Sequence, residues 1–304
     1  MNELFAIAIH GGAGTIEKQR MTDEVRADYE NALREALETG RQILQKGGSS
    51  MNAVEAAVIS LEDCHFFNAG RGSVFTSKGT HEMDAAIMNG ETLSAGAVAG
   101  VTGVKNPIRL ARIVMEKTKH VFVSGEGALE LAKEHNLPIE THDYFYTDFR
   151  HNDWKSKQEQ PSASKTQKHL GTVGAVALDQ AGNLAAATST GGITNKNYGR
   201  IGDSPVIGAG TYANNYTCAV SCTGEGEKFL RAVMAYDVSC CMEYKNTSLH
   251  DACANAMQKL QDLQGEGGLI AVDSKGNIEM PFNTEGMYRA CYFPDGGIEI
   301  KIFD

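Results

Sequence analysis

A polar stretch in the middle of the chain separates two segments that both have the pattern of a layered, sheet-containing fold. Residues 149–170 are rich in Ser, Lys and Gln and show no hydrophobic period. Because such a segment cannot bury enough apolar surface to fold, we predict a mobile linker at about 150–171. An apolar run at residues 172–178 follows at once and predicts a buried strand that begins at Thr172.

The patterns on both sides of this stretch predict strands that alternate with helices. An apolar run at 4–10 enters the glycine-rich residues 11–14, as a buried strand enters a loop, and amphipathic runs at 22–45 and 52–63 predict helices. We predict further helices at about 108–117, 126–134, 227–244 and 249–263, and further strands at about 83–88, 93–98, 120–123, 184–187, 268–273, 278–280, 288–293 and 298–303. This alternation is consistent with sheets covered by helices.

Two local sequences make sharper predictions about where elements meet. Asn89-Gly90 between two short apolar runs predicts a hairpin with a two-residue type I′ turn. Asn106-Pro107 predicts a helix that begins with an asparagine cap and a proline in its first turn.

Composition and charge exclude several functional classes. The chain has 304 residues, 42% hydrophobic and 22% charged, which is typical of a globular protein and not of a disordered or coiled-coil chain. A net charge of −10 argues against nucleic acid as a partner. No run approaches the ~20 apolar residues that span a bilayer, and the first residues do not resemble a signal peptide, so we expect a cytoplasmic protein.

The cysteines point to the same compartment. Seven of them occur without a CxxC pair, and we interpret them as reduced core residues, above all those in apolar surroundings: Cys218, Cys222, Cys240 and Cys253.

Familiar catalytic and cofactor motifs are missing. The sequence contains no GxxxxGK[ST] phosphate loop, no HExxH or paired CxxC zinc motif and no GxSxG elbow. We therefore expect no organic cofactor and no catalytic zinc.

The junction between the polar stretch and the strand has a chemistry of its own. A threonine hydroxyl is a weak nucleophile unless a base lies beside it, and a free α-amine, with a pKa of about 7.7–8.0, is such a base. A chain that cuts itself between Gly171 and Thr172 would create nucleophile and base on one residue, and the glycine would leave the scissile carbonyl open. From these two residues alone, an ordinary strand start after a loop remains the alternative.

The surrounding sequence resembles one family over nearly the whole chain outside the linker. The segment GTVGAVALD at 171–179 resembles the self-cleavage site of the plant-type L-asparaginases, or isoaspartyl peptidases, which are N-terminal nucleophile hydrolases. Further segments resemble the family in the same order: HGGAG at 10–14, FNAGRGSVFT at 67–76, AGV at 99–101 with NP at 106–107, ATSTGG at 187–192, GRIGDSP at 199–205, GAG at 208–210, SCTGEGE at 221–227 and FNTEGM at 282–287.

The resemblance implies a fold and a maturation path. The fold would be α+β, a four-layer αββα sandwich of the N-terminal nucleophile type. One structural domain would contain an α subunit, residues 1–171, and a β subunit, residues 172–304, which self-cleavage separates. Two such αβ units would form a dimer. The substrates would be L-asparagine and β-aspartyl dipeptides, with L-aspartate as the product.

The resemblance also implies roles for particular catalytic residues. Thr172 would be the nucleophile. Thr190 and Thr223 would hydrogen-bond near it and orient it, and Asn68 would lie near it. Thr223 together with the backbone of Gly224 would form the oxyanion hole.

A second group of residues would recognise the substrate. Arg200 would clamp the α-carboxylate, Asp203 would bind the α-ammonium, and the backbone of Gly224 and Gly226 would line the same pocket. From the residues alone, a plain surface ion pair between Arg200 and Asp203 remains the alternative. We further hypothesise that Glu225, between the two pocket glycines, disfavours acidic leaving groups.

A structural sodium ion is also implied by the resemblance, held by backbone carbonyls. Its ligands would come from Leu61, Glu62, Cys64, Phe67, Ala69 and Arg71. His10, at the head of the first glycine loop, is interpreted as a core histidine.

Three other functions stay open at this point. Glycosylasparaginases share the nucleophile strand, but they typically carry Asp before the threonine and follow a secretory route. A protease of the same family would have much longer insertions. An uncleaved, inactive relative could act as a binding protein.

Overall fold

A computed structural model describes residues 4–14, 16, 21–159 and 171–304. The strands among them are β1 (Ala6–Gly14), β2 (Met83–Asn89), β3 (Ala95–Val101), β4 (Phe122–Ser124), β5 (Val173–Leu178), β6 (Leu184–Thr190), β7 (Thr211–Ala213), β8 (Cys218–Gly224), β9 (Gly267–Asp273), β10 (Ile278–Glu279), β11 (Gly286–Tyr292) and β12 (Ile298–Lys301). The helices are α1 (Asp23–Gln45), α2 (Ser50–Asp63), α3 (Pro107–Lys117), α4 (Gly125–Glu134), α5 (His142–Phe145), α6 (Asp148–Glu159), α7 (Gly226–Ala232), α8 (Met234–Lys245) and α9 (Leu249–Asp262).

The strands form a large mixed sheet and a smaller sheet. The large sheet has the order β12-β11-β1-β5-β6-β2-β3-β4, and only its last pair is parallel. The small sheet has the order β10-β9-β8-β7. Strand β5 is buried along its whole length between β1 and β6, which explains its uninterrupted apolar sequence.

Three hydrophobic clusters fill the spaces on either side of the sheets. One lies between the large sheet and helices α1 to α4, a second between the two sheets, and a third between the small sheet and helices α7 to α9. The large sheet therefore has helices on one face and the small sheet on the other. As a result, the start of β5 lies where the two sheets pack together.

Three helices begin with a side-chain cap. The Thr22 hydroxyl accepts a hydrogen bond from the backbone N–H of Val25 at the start of α1, and Ser49 and Ser248 cap α2 and α9 in the same way. The predicted helix at 227–244 is two helices, because Val233 adopts a left-handed conformation with φ 49° and ends α7.

The predicted two-residue hairpin turn is wrong. Five residues connect β2 to β3, and the Asn89 side chain accepts hydrogen bonds from the N–H groups of Glu91 and Thr92 instead of occupying a type I′ turn. Asn106 precedes α3 as expected, but its amide donates to Asp63 and does not cap the helix.

The predicted linker is wrong in its first half. Residues 148–159 form α6, although the sequence has no apolar period there. The helix packs through particular side chains and not through an apolar face: Arg150 is buried, and the Trp154 ring stacks on Phe75 at 5.6 Å. Residues 160–170, the rest of that prediction, lie outside the described part of the chain.

The cysteines and the helices bear on two further expectations. All seven cysteines are free thiols; Cys218, Cys222 and Cys253 lie in the core as expected, whereas Cys240 is only half-buried. Among the described helices, none combines the length and the apolar character needed to cross a membrane.

Candidate active site

The predicted nucleophile, Thr172, lies at the start of β5 where the strand leaves the sheet interior. The residue is only 8% exposed. Its hydroxyl donates a hydrogen bond of 3.0 Å to the hydroxyl of Thr190, which ends the neighbouring strand β6. The pairing of β5 with β6 therefore brings together two threonines that are 18 residues apart in sequence.

The carbonyl that precedes Thr172 is held by two donors. The Asn68 side-chain amide donates to the Gly171 oxygen at 2.7 Å, and the Thr190 hydroxyl lies 3.3 Å from the same oxygen. Two donors on one carbonyl oxygen stabilise negative charge as it develops there, as in an oxyanion hole. The site can therefore favour attack on the bond between Gly171 and Thr172.

Asn68 is fixed on every side. Its Oδ1 accepts from the N–H of Val74 at 3.0 Å, and its Nδ2 donates to the carbonyl of Gly192 at 2.7 Å as well as to Gly171. Its own carbonyl accepts from the N–H of Gly191 at 3.0 Å, and the residue is fully buried. Because these partners fix which end of the amide is the donor, Asn68 is a preorganised donor.

The glycine-rich end of strand β1 lies against the bond between Gly171 and Thr172. A Cβ atom on Gly12, whose φ is +109°, would lie 2.7 Å from the Gly171 Cα and 3.0 Å from the Thr172 nitrogen. One residue later, the N–H of Ala13 donates to the Thr223 hydroxyl at 3.2 Å. Thr223 belongs to β8 of the small sheet, so both sheets contribute to the site.

We expect Gly12→Ala to slow any cleavage at this bond and to lower the free energy of unfolding by about 1–3 kcal/mol, because the new methyl group displaces residues 171–172 and strains the backbone. Gly182→Ala is the matched control: that glycine has φ +85° with open space around its Cβ position, so only backbone strain is added. Intact mass over time and thermal unfolding of both variants separate the two effects. Equal cleavage rates in the two variants would contradict the steric argument.

Three of the four residues predicted to bind the substrate, Arg200, Asp203 and Gly226, are brought together. A Cβ atom on Gly226 would lie 2.8 Å from Arg200 Nη2 and 2.9 Å from Asp203 Oδ1, so a larger residue would displace these two side chains. Gly192, which accepts from Asn68, has its Cβ position 3.6 Å from Arg200 Nη1. The residues predicted to bind the substrate are therefore contiguous with the residues predicted to be catalytic.

Arg200 has a partner that the sequence did not reveal. Its guanidinium forms a bidentate pair with Glu227, with both N–O distances at 2.9 Å. The hydrogen bond from Arg200 lowers the pKa of Glu227. Arg200 and Asp203 are therefore not a simple ion pair with each other.

Asp203 is a buried carboxyl in the middle of this pocket. Burial raises its pKa to about 7, which the charge of Arg200 offsets only in part. Its Oδ2 is buried and has no hydrogen-bond partner among the described residues. Such an oxygen suits a cationic group of a ligand.

Two further buried charges border the pocket and were also missed. The Lys196 ammonium donates to the Glu82 carbonyl at 2.8 Å and lies 3.2 Å from the Cβ position of Gly192. Asp84 pairs in register with Thr190, and burial raises its pKa. No motif or periodicity in the sequence distinguished either residue from a surface charge.

His10 lies behind the nucleophile strand, as expected of a core histidine. Its Nε2 lies 2.9 Å from the Ser221 hydroxyl, which is 2.7 Å from the Thr188 hydroxyl. Burial lowers the pKa of His10 to about 3, so the ring is neutral at ordinary pH. Its Nδ1 has no hydrogen-bond partner among the described residues, so the histidine is only partly satisfied.

The residues predicted to hold sodium line the end of α2 and the loop after it. They are Leu61, Glu62, Cys64, Phe67, Ala69 and Arg71. The carbonyl oxygens of Glu62 and Phe67 lie 2.4 and 2.0 Å from the Cβ positions of Gly70 and Gly72, and within the described residues neither oxygen accepts a hydrogen bond. Free carbonyl oxygens of this kind fit a hard cation.

The Glu62 side chain lies at the same loop. Its Oε1 accepts from the hydroxyl of Ser189 and from the N–H of Ile108, while burial raises the pKa of the carboxyl to about 8. In the described ranges, no cluster of three or more His, Cys, Asp or Glu side chains could hold a metal ion.

Comparisons with known proteins agree with this geometry. A family model described as Asparaginase matches residues 3–301. The chain is 50% identical over 294 residues to the isoaspartyl peptidase of Escherichia coli strain K12, covering 93% of this chain and 91% of that protein. It is 44% identical over 284 residues to the human isoaspartyl peptidase/L-asparaginase, covering 92% and 91%. It is 41% identical over 326 residues to the probable isoaspartyl peptidase/L-asparaginase 2 of Arabidopsis thaliana, covering 99% of each.

Proposed function

The chain belongs to the asparaginase family, and from that premise we propose that it is an isoaspartyl peptidase/L-asparaginase. It releases L-aspartate from L-asparagine and from β-aspartyl dipeptides after cutting itself between Gly171 and Thr172. The cut yields an α subunit of residues 1–171 and a β subunit of residues 172–304, which remain one structural domain. The fold is a four-layer αββα sandwich of the N-terminal nucleophile type.

One observation carries the proposal. The oxygen of Gly171 accepts from Asn68 at 2.7 Å, directly before a buried threonine whose hydroxyl contacts Thr190. An ordinary strand start needs no donors aimed at the preceding carbonyl. This arrangement favours a self-cleaving enzyme over an inactive binding protein.

Maturation would proceed through an ester. The Thr172 hydroxyl oxygen attacks the Gly171 carbonyl carbon, and the C–N bond breaks as the hydroxyl proton passes to the Thr172 nitrogen, so that the peptide becomes an ester on the threonine oxygen. Asn68 and Thr190 stabilise the oxyanion that forms during the attack. Water then hydrolyses the ester, which leaves a carboxylate on Gly171 and a free α-amine on Thr172.

Hydrolysis of the substrate would use the same hydroxyl with the new amine as base. The Thr172 α-amine takes the hydroxyl proton while the oxygen attacks the β-carbonyl of the substrate. The proton passes to the leaving ammonia or amino acid, and a β-aspartyl ester remains. Water releases L-aspartate, and Thr223 with the backbone of Gly224 would stabilise the oxyanions of both steps.

Substrate recognition would rest on the pocket between Arg200 and Asp203. Arg200 offers a planar fork for the α-carboxylate, and the unpaired Oδ2 of Asp203 accepts from the α-ammonium. Glu227 already holds the Arg200 fork, so a substrate carboxylate competes with it. The pocket therefore selects amino acids with both α groups free.

Intact mass of the purified protein tests the proposal most directly. Self-cleavage of the 32.7 kDa chain predicts fragments of about 18 and 14 kDa, with the smaller one beginning at Thr172. Release of L-aspartate from L-asparagine and from β-aspartyl-leucine should then be measured on the cut protein. A single species that stays uncut for days and releases no aspartate would overturn the proposal in favour of a binding protein.

The raised pKa of Asp203 predicts a pH dependence. The free enzyme needs the Asp203 carboxylate to bind an ammonium, so kcat/KM for L-asparagine should fall as pH drops below about 7. Well below that value Asp203 should contribute a fall of about tenfold per pH unit, and protonation of the Thr172 α-amine, the proposed base, should add a second fall of about tenfold per unit. Asp203→Asn should raise KM and remove the part of the pH dependence of kcat/KM that is due to Asp203, while the part that is due to the Thr172 α-amine remains. If kcat/KM of the variant fell with decreasing pH as in the wild type, the pH dependence would belong to a group other than Asp203.

Variants of Glu225 test which leaving groups the enzyme prefers. It precedes α7, half-buried between Gly224 and Gly226, with its N–H bonded to the Glu266 carbonyl. Removing its charge in Glu225→Gln or Glu225→Thr should raise kcat/KM for β-aspartyl-glutamate relative to β-aspartyl-leucine by about two- to fivefold. An unchanged ratio in both variants would refute the role.

Two further parts of the proposal concern a cation and an assembly. When bound, a sodium ion would be coordinated by backbone carbonyl oxygens at the end of α2 and in the loop that carries Asn68; its ligands would be the carbonyls of Leu61, Glu62, Cys64, Phe67, Ala69 and Arg71. We also propose a dimer of αβ units, which sedimentation of the cut protein tests.

A further inference from the structure

Helix α6 docks in an unusual way. Its one buried residue is a charged one, Arg150, while Phe149 is 55% exposed. Burying a cation costs free energy unless its donors are satisfied. The helix is therefore held at a particular position by a specific polar contact together with the single Trp154 ring, and not by an apolar face.

The contact of Arg150 is with the loop that carries Asn68. Its Nε donates to the carbonyl of Gly72 at 2.9 Å, and one terminal nitrogen lies 3.3 Å from the carbonyl of Phe66. These two carbonyls flank Asn68, two residues before it and four residues after it. The guanidinium fork thus joins both ends of the turn that presents the Asn68 amide.

The remaining contacts of α6 reach the other partners of Asn68. The Asp153 carboxylate accepts from the Thr194 hydroxyl at 2.6 Å, two residues beyond Gly192, whose carbonyl accepts from Asn68. The Trp154 ring stacks on Phe75, the neighbour of Val74, whose N–H donates to Asn68. Helix α6 therefore supports each segment that fixes the Asn68 amide.

We propose that Arg150 is a positioning residue for Asn68, and through it for the Gly171 carbonyl and the oxyanion of the reaction. This inference rests on the proposed function for its catalytic consequence, but its structural part does not. The Arg150 guanidinium hydrogen-bonds the carbonyls at the two ends of the loop, so the Asn68 amide keeps its 2.7 Å contact with the Gly171 oxygen. Losing the fork lets this loop relax without removing a group that touches the substrate.

The chain offers a matched control. Arg289 is also buried, and its guanidinium also holds backbone carbonyls, those of Met287 and Phe303, together with the Asp304 carboxylate. It makes no contact with the Asn68 loop among the interactions of the described residues. Arg289→Ala therefore reports the general cost of losing a buried arginine.

The first experiment measures self-cleavage of the full chain by intact mass. Arg150→Ala should slow it by roughly tenfold to a hundredfold, as expected when a catalytic group is displaced by about 1 Å, while Arg289→Ala keeps the wild-type rate. Millimolar methylguanidinium should restore part of the cleavage rate of Arg150→Ala. The cleavage rate of Arg150→Lys should lie between those of Arg150→Ala and the wild type. On cut protein, Arg150→Ala should lower kcat and leave KM for L-asparagine unchanged, because Arg200 and Asp203 are untouched.

A second experiment separates this inference from the proposed function. Hydrogen exchange is compared in uncut chains carrying Thr172→Ala alone or together with Arg150→Ala or Arg289→Ala. The amides of Val74 and Gly191, which bond Asn68, should exchange faster only with Arg150→Ala. The inference would be overturned by unchanged exchange at both amides, by a wild-type cleavage rate in Arg150→Ala, or by an equal loss of cleavage rate in the two arginine variants. A wild-type chain that never cuts would overturn only the proposed function.

Discussion

Thr172→Ala should leave the chain uncut and without aspartate release. The substitution removes the hydroxyl that donates to Thr190 and that would attack both the Gly171 carbonyl and the substrate. Loss of a catalytic nucleophile lowers kcat by about a million-fold in a comparable hydrolase, so no turnover should be measurable. Because Thr172 is buried at a strand end and alanine fits the same backbone, the variant should still fold.

Intact mass and aspartate release measure both parts of this result. Thr172→Ser is the control, since it keeps a hydroxyl at the same position and should cut and turn over at a reduced rate. A Thr172→Ala chain that still cut at the 171–172 bond, or that released aspartate at a rate near that of the wild type, would show that another residue is the nucleophile.

Asn68→Ala should slow self-cleavage by about 10²–10³-fold, the cost of losing one oxyanion-hole donor. The variant loses the 2.7 Å contact with the Gly171 oxygen, and only the weaker contact with Thr190 remains. It also frees the carbonyl of Gly192, so the free energy of unfolding should fall by about 1–3 kcal/mol.

A matched asparagine controls for this loss of stability. Asn215 also uses both ends of its amide, accepting from the N–H of Leu184 and donating to Asn183, at the opposite end of β6 from Thr190. Asn215→Ala should lose stability and keep the cleavage rate. If the two variants cut equally fast, Asn68 would not polarise the scissile carbonyl.

Local elements were predictable from the sequence because local sequence causes them. The Thr22, Ser49 and Ser248 caps start helices through hydrogen bonds that span three residues. The apolar run after Thr172 predicted β5, since a strand buried on both faces needs no alternation. The helix predictions failed where one residue breaks a continuous pattern, as Val233 does between α7 and α8.

Helix α6 shows why the polar stretch was misjudged. An apolar period is the signal of a helix that packs on a core, and α6 has none because it docks through Arg150 and Asp153. No local pattern marks a charged residue whose partners are carbonyls about 80 residues away in the chain. The partner of Arg200 was missed for the same reason, because Glu227 lies 27 residues further on.

The sequence by itself predicted which residue types would carry the chemistry, where β5 begins and which family the chain resembles. Those are properties of short segments, and side-chain chemistry and hydrogen bonds between near neighbours decide them. Only the tertiary structure decided that Asn68, 103 residues earlier in the chain, donates to the Gly171 carbonyl, and that α6 supports the loop presenting it. Contacts of this kind form only when packing of the two sheets brings distant segments together, because burial of the whole core and not any local preference offsets the entropy of closing such long loops.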